Sequence, residues 1–209
     1  MPEVVREGRQ VVNNLERSGS LFLVKNIFSF LISVLAIFFH VKYPLQPSQI
    51  SLISMFTIGI PAFFLSQVPN ENLIEGRFIR NILFKAVPGG LTDTFIVAAM
   101  VVFGTIFEAS SSDISTASTI LLAIVGLMVL LNISKPMDKF KWAIWSFCAL
   151  GLLTSIIFFK ELFGITDNMS IQGTLLCINF IIISEVFLRY LTKMFEFTRR
   201  IILKIKKIN

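Results

Sequence analysis

Among the residues with oxygen-bearing side chains in the long apolar runs of this chain, five are candidate ligands: Asn26, Ser29, Ser54, Thr57 and Asp93. Oxygen ligands of this kind suit hard cations such as Ca²⁺. Asp93 is the one carboxylate among them, and ionisable groups inside a membrane span are functional candidates by default. We therefore predict that these five residues contribute to a site for a transported cation. The alternative for each neutral residue is a hydrogen bond to a neighbouring helix, worth about 0.6 kcal/mol on average.

The apolar run over residues 51–69 carries its own interruption, because Gly59 and Pro61 lie in its middle. Proline has no N–H, so the carbonyl of Thr57, four residues earlier, loses its helical donor. Inside lipid such a carbonyl must be satisfied by protein, water or an ion, and broken membrane helices hold ions in many transporters. The run predicts a broken helix beside the cation site. The alternative is that proline and glycine are simply commoner in membrane helices than in soluble ones.

Other charged residues in the apolar runs have simpler interpretations. Lys25 lies about one turn into the first run, where its ammonium could snorkel to the surface or place a positive charge beside the ion site. Glu185 and Arg189 are spaced i, i+4 and predict an ion pair on one helix face.

The composition places these residues in a membrane. The chain has 209 residues, of which 55% are hydrophobic and only 15% are charged, whereas a soluble domain carries about 25% charged residues. A net charge of +6 could suggest nucleic acid. The charges border the apolar runs, however, so we expect a membrane partner and no nucleic acid.

The apolar runs are long enough to cross a bilayer, since about 20 helical residues span the hydrocarbon. We predict an all-α, polytopic membrane bundle of six transmembrane helices, over residues 21–39, 51–69, 82–107, 117–133, 142–159 and 173–191. The predicted organisation is an amphipathic stalk at residues 1–20, a six-helix domain at 21–192 and a basic tail at 193–209.

Positive charges predict the orientation. If the N-terminus is cytoplasmic, the outside loops hold only Lys42 and Lys160 of the 19 Lys and Arg residues. This asymmetry follows the positive-inside rule and places both termini in the cytoplasm. The basic tail then faces the inner leaflet, where we expect it to bind anionic lipid; a regulatory partner is the alternative.

Motifs for soluble catalysis are not found in the sequence. It has no Gly-rich phosphate loop, no nucleophile paired with a base, and no metal triad. We expect no catalytic residues and no cofactor in this chain, and no nucleotide hydrolysis by the chain alone.

The order of the elements resembles the P-type (E1-E2) cation-transporting ATPases. Residues 4–26, VVREGRQVVNNLERSGSLFLVKN, are similar to the end of the phosphorylation domain running into the fifth membrane helix of that family. Residues 57–62, TIGIPA, resemble its sixth helix, and residues 85–88, KAVP, resemble the start of its seventh. The similarity is greatest to the bacterial branch of calcium-uptake pumps. It implies helices five to ten, the C-terminal membrane portion of a pump.

The resemblance also implies roles for the polar residues. Asn26 falls where calcium pumps place an asparagine ligand, and Ser29 falls where they place a glutamate. Ser54 and Thr57 fall on the N-x-x-T of the sixth helix, and Ile58 replaces the aspartate that follows. The loss of both carboxylates implies fewer ions, a different ion, or ligands from elsewhere such as Asp93.

The rest of the pump is outside the sequence. The D-K-T-G-T phosphorylation loop, the nucleotide and actuator domains and helices one to four do not occur in it. The resemblance implies that ATP and Mg²⁺ serve the full-length pump and that its missing N-terminal part is a partner of this chain, in a bacterial plasma membrane. Calcium or another divalent cation is the implied cargo.

Two other functions remain open at this point. The chain could be a small secondary permease or an accessory membrane subunit, complete in itself. Internal repeats would favour a permease, but the broken helix at residues 51–69 has no counterpart in the second half. The chain could also serve only as a scaffold or be a remnant of a pump.

Overall fold

The computed structural model describes residues 2–40, 42–68, 77–166 and 168–208, and these residues form a bundle of helices. Six helical segments are long and apolar enough to cross a membrane. The prediction of an all-α polytopic bundle with six spans is therefore confirmed. Because the number of crossings is even, the start of the first helix and the end of the last helix lie on the same side of the bundle. The helices are α1 Pro2–Phe38, α2 Pro47–Ser54, α3 Ile60–Ser66, α4 Phe78–Ile106, α5 Ser111–Ser134, α6 Lys139–Phe158 and α7 Ile171–Ile208.

The first and last helices extend well beyond the predicted spans. α1 begins at Pro2, so the predicted stalk and the first span form one continuous helix. α7 continues to Ile208 in the same way, through most of the predicted tail. The division into stalk, six-helix domain and tail remains a prediction, because no break in either helix marks its boundaries.

α5 starts earlier than the sequence indicated. We predicted residue 117 as the start of this span, whereas α5 begins at Ser111. The reason is a cap: the Ser110 hydroxyl accepts a hydrogen bond from the Asp113 N–H at 3.1 Å. Such a cap satisfies a donor that the first helical turn leaves free. The acidic, Ser-rich stretch before the apolar run is therefore the first turn of the helix.

α4 lies at the centre of the bundle, against α1, α5 and α7. Its buried face includes Ala86, Ile96, Val97 and Met100, all fully buried. Pro88 is also buried within this helix and does not end it. α4 thereby brings its polar residues to the interior and keeps them from lipid.

Near the N-terminal end of α4, polar contacts join this helix to α1. The Lys85 Nζ lies 2.7 Å from the Glu16 Oε1, and the Asn81 Nδ2 donates to the Glu16 Oε2 at 3.1 Å. Glu16 is buried, so these contacts supply the partners that a buried carboxylate needs. On α7, Glu185 and Arg189 form the ion pair that their spacing predicted.

Candidate cation site

The sequence predicted a broken helix in the second span, whereas the structure has one continuous helical span, Pro47–Ser66, with a π-helical turn in its middle. Between α2 and α3 the chain forms a π-helical turn over Met55–Gly59. The Ile60 N–H donates to the Met55 carbonyl, five residues earlier, and Pro61 has no N–H to donate. The carbonyls of Phe56 and Thr57 therefore lose their usual helical donors. Turns of this kind occur frequently at functional sites.

A cavity of about 50 Å³ lies beside this turn, enclosed by α1, α2, α4 and α5. Its polar lining comes from Lys25, Ser54, Thr57 and Asp93, and the remaining lining is apolar. One water molecule needs roughly 10–15 Å³ of such space. The cavity is therefore large enough for an ion or a few water molecules. Three of the five residues predicted from the sequence, Ser54, Thr57 and Asp93, come together here.

Asp93 brings a carboxylate into the cavity from near the middle of α4. Its side chain is 5% exposed, and its Oδ1 has no hydrogen-bond partner in the part of the chain that the structure describes. A buried ionised carboxylate costs several kcal/mol unless it is paired or coordinates a metal. The described residues contain no group of three or more His, Cys, Asp or Glu side chains around it. Asp93 is therefore a lone carboxylate with unused acceptor capacity.

The two hydroxyls each donate to their own helix. The Thr57 Oγ1 donates to the Ile53 carbonyl at 2.8 Å, and the Ser54 Oγ donates to the Ile50 carbonyl at 2.6 Å. A hydroxyl has one proton and two lone pairs. With the proton directed at the backbone, the lone pairs are left for a donor or a cation. Both residues can therefore offer oxygen to an ion in the cavity.

Two glycines on neighbouring helices allow the π turn to pack closely. A methyl group on Gly126 of α5 would lie 2.7 Å from the Thr57 Cγ2, and one on Gly151 of α6 would overlap the Phe56 ring. Side-chain carbons do not approach this closely, so a larger residue at either position would displace the side chain that it meets. Neither glycine was predicted from the sequence. Small residues at contacts between membrane helices are the signal that could have found them.

The other two predicted ligands lie elsewhere. Asn26 is on the exposed side of α1, and Ser29 is partly buried; neither lines the cavity. In the connection between the first two spans, the pKa of Tyr43 is raised because the phenol is partly buried, and the Ser29 side chain opposes this rise. Ligand roles for Asn26 and Ser29 remain predictions.

Lys25 takes the position on α1 that faces the cavity. Within the described ranges, no carboxylate lies at salt-bridge distance from its ammonium. Of the two interpretations of Lys25, this placement supports a positive charge beside the ion site. The cavity then combines one positive and one negative side chain with two hydroxyls.

Sequence comparisons identify relatives that are named as cation-transporting ATPases. The chain is 34% identical over 195 aligned residues to the calcium-transporting ATPase CtpE of Mycolicibacterium smegmatis, a match that covers 84% of the chain and 24% of that protein. It is 29% identical to the probable cation-transporting ATPase exp7 of Streptococcus pneumoniae, with 92% of the chain and 26% of that protein covered. The calcium-transporting ATPase of Bacillus subtilis is 25% identical over 62% of the chain.

The chain spans about a quarter of the length of the first two relatives. No protein-family profile matches the chain. The similarity to cation-transporting ATPases, together with six apolar helices, shows a multi-pass membrane segment related to bacterial pumps.

Proposed function

The chain is a membrane portion related to the bacterial P-type cation-transporting ATPases, and we propose from this relationship that it forms part of the ion pathway of such a pump. In this proposal the cavity beside the π turn binds the transported cation. Asp93 supplies the carboxylate, Ser54 and Thr57 supply hydroxyl oxygens, and the carbonyls released at the π turn complete the ligands. The proposed cargo is calcium or another divalent cation, because these ions prefer oxygen ligands.

The observation that carries the proposal is the buried Oδ1 of Asp93, for which the described ranges of the chain contain no hydrogen-bond partner. A carboxylate in this setting is stabilised when a cation binds next to it. The carbonyls of Phe56 and Thr57, which lack their usual helical donors, can coordinate the same ion. The set omits Asn26 and Ser29, because neither lines the cavity.

The charges favour a single cation. With one carboxylate and one ammonium, the cavity has no net charge to balance two divalent ions. Lys25 would repel a bound cation and so weaken its binding, which assists release during transport. We propose that the site binds one ion at a time and that Lys25 limits its affinity.

The energy source lies in the remainder of the pump. The relatives are named ATPases, and we propose that ATP and Mg²⁺ act on the part of the pump that this sequence does not contain. That part would be the partner of this chain. The long helix α1, which runs from Pro2 past the cavity to Phe38, is the element best placed to transmit movement to the site.

Binding of radioactive Ca²⁺ to the purified chain in lipid nanodiscs tests the proposal. We expect one bound ion, and we expect Asp93→Asn to weaken binding at least about tenfold, because it removes the only carboxylate of the site. Trp145 offers a second readout, since its Nε1 donates to the Leu127 carbonyl at 3.0 Å, next to Gly126 of the site. The control is Glu185→Gln, which removes an exposed carboxylate on α7.

If Asp93→Asn and the unaltered chain bind Ca²⁺ equally, the proposed site is refuted. Passive uptake of the cation by liposomes that contain the chain alone, without ATP, would instead favour the permease alternative.

A further inference from the structure

A second polar cavity lies at the inner end of the bundle, between α4, α5 and α7. It has a volume of about 130 Å³, and its lining shares Val129 with that of the cation cavity. Three basic side chains line it, Lys85, Lys135 and Arg199, with Glu196 as the one acidic residue of the lining. We call this space the inner basic cavity. Its excess of positive charge indicates an anionic ligand.

The donors of the inner basic cavity are only partly used. The Lys135 Nζ donates to the Asn132 Oδ1 at 2.9 Å, and the Asn132 Nδ2 donates to the Thr192 Oγ1 at 3.1 Å. The Arg199 Nε is buried, and no acceptor for it exists among the residues that the structure describes. Lys85 is engaged by Glu16, but its side chain is still 36% exposed. The inner basic cavity therefore holds a guanidinium N–H without an acceptor, together with two ammonium groups, and an anionic ligand could supply the acceptor.

A phosphate group is the acceptor that suits this arrangement. A guanidinium presents a rigid fork of N–H donors that matches the oxygens of a phosphate, and ammonium groups add charge to the same ligand. A buried donor left without a partner costs free energy. A ligand that accepts a hydrogen bond from the Arg199 Nε removes that cost, and this favours its binding.

The position of the cavity indicates where the phosphate comes from. Lys135 directly follows Ser134, the last residue of α5, so the cavity lies at the level where that span leaves the membrane. α4 and α7 extend further on the same side, to Phe78 and Ile208. The orientation predicted from the positive charges makes this the cytoplasmic side, where anionic headgroups attract basic residues.

We propose that the inner basic cavity binds the phosphate of an anionic phospholipid of the inner leaflet. Arg199 and Lys135 contact the phosphate, and Lys85 adds to the positive field. The lipid thereby joins the inner ends of α4, α5 and α7. This inference does not depend on the proposed transport function, because it concerns other residues and another ligand.

Native mass spectrometry of the purified chain tests the inference. The detergent-solubilised protein is mixed with equal amounts of phosphatidylglycerol and phosphatidylcholine, and the bound lipids are counted. We expect the unaltered chain to retain phosphatidylglycerol at least about fivefold more than phosphatidylcholine. We expect Arg199→Gln with Lys135→Gln to lose that preference.

Arg200→Gln is the matched control, because it removes the same charge from the next residue of α7, which is exposed. It should keep the preference. An equal loss in Arg200→Gln would overturn the inference, since it would show attraction to the basic surface as a whole. Lys135 is exposed, so Lys135→Gln alone serves if the double variant does not fold, and unchanged lipid retention in it would also overturn the inference.

Inorganic phosphate distinguishes the two sources of the ligand. Its addition at about 10 mM should leave phosphatidylglycerol bound, because the acyl chains hold the lipid at the membrane boundary. Displacement of the lipid by phosphate would assign the cavity to free phosphate and overturn the assignment to lipid.

Discussion

At the residue scale, the site depends on polar side chains whose hydrogen-bonding capacity is incompletely used. Asp93 has a buried oxygen with no hydrogen-bond partner among the described residues, and Thr57, which is 4% exposed, directs its only proton at its own helix. Buried polar atoms are nearly always satisfied in folded proteins. The Asp93 oxygen at this cavity therefore indicates a ligand. Substitution can measure the separate contributions of Asp93 and Thr57.

We expect Thr57→Val to weaken Ca²⁺ binding by about tenfold, because valine keeps the shape of threonine and removes one oxygen ligand. The measurement is equilibrium Ca²⁺ binding to the chain in nanodiscs. Thr154→Val is the matched control: the Thr154 Oγ1 also donates four residues back, to the Leu150 carbonyl at 2.7 Å, but on the exposed face of α6. A loss of the same size in both variants would contradict a ligand role for Thr57.

We expect Lys25→Gln to strengthen binding of a divalent cation by about tenfold, since it removes a like charge from the lining of the cavity. Titration with Ca²⁺, followed by the fluorescence of Trp145, measures the change. Lys139→Gln, which removes an exposed positive charge at the start of α6, should have no effect. Weaker binding in Lys25→Gln would show that Lys25 positions a ligand and does not oppose the ion.

At the scale of elements, the π turn is held by its neighbours. α5 and α6 approach it at Gly126 and Gly151, and α1 holds the inner end of the same span. There the Asn14 Nδ2 donates to the Ser66 carbonyl at 2.7 Å. The second span is therefore held by contacts at its π turn and at its inner end. Movement of α1 would be transmitted to α3 through the contact with Asn14.

We expect Gly126→Ala to displace Thr57 and to weaken Ca²⁺ binding, because the added methyl group has no room at 2.7 Å from the Thr57 Cγ2. Overpacking of this kind costs about 1–3 kcal/mol of stability, so the midpoint of thermal unfolding should fall as well. Gly8→Ala is the control, since a methyl group there meets nothing within 4 Å. Unchanged Ca²⁺ affinity in Gly126→Ala would show that the position of Thr57 does not matter.

At the scale of the whole molecule, six apolar spans and the distribution of basic residues predict the orientation. The connections between α1 and α2, α4 and α5, and α6 and α7 lie on one side of the bundle, and the two long helices extend on the other. The positive-inside rule assigns the second side to the cytoplasm. The cation cavity is then within the membrane, and the inner basic cavity is at its cytoplasmic boundary.

Cysteine labelling in intact cells tests this orientation, in a background with Cys148 and Cys177 replaced by serine. We expect Glu161→Cys, in the connection between α6 and α7, to react with a membrane-impermeant maleimide from outside. Arg200→Cys, on the inner extension of α7, should react only after the cells are permeabilised. The reverse labelling pattern would show that the bundle has the opposite orientation, with the inner basic cavity at the outer leaflet.

The sequence by itself determined the fold class, the number of spans, the place of the irregular turn in the second span and the ion pair on α7. These features follow from local chemistry: the length of apolar runs, the missing N–H of Pro61 and the i, i+4 spacing of Glu185 and Arg189. The similarity to a pump family was also visible in short motifs. None of these features requires knowledge of which helices are neighbours.

The tertiary structure decided which polar residues share a cavity. A helix turns by about 100° per residue, so Lys25 faces the cavity while the adjacent Asn26 faces outward. The same packing brings Asp93 of α4 to Thr57 and selects Gly126 and Gly151 as the contacts of the π turn. The direction in which a side chain points in a membrane bundle depends on how its helix is rotated about its axis relative to its neighbours. An apolar run does not specify that rotation, because the sides that face lipid and the sides that face other helices are both apolar.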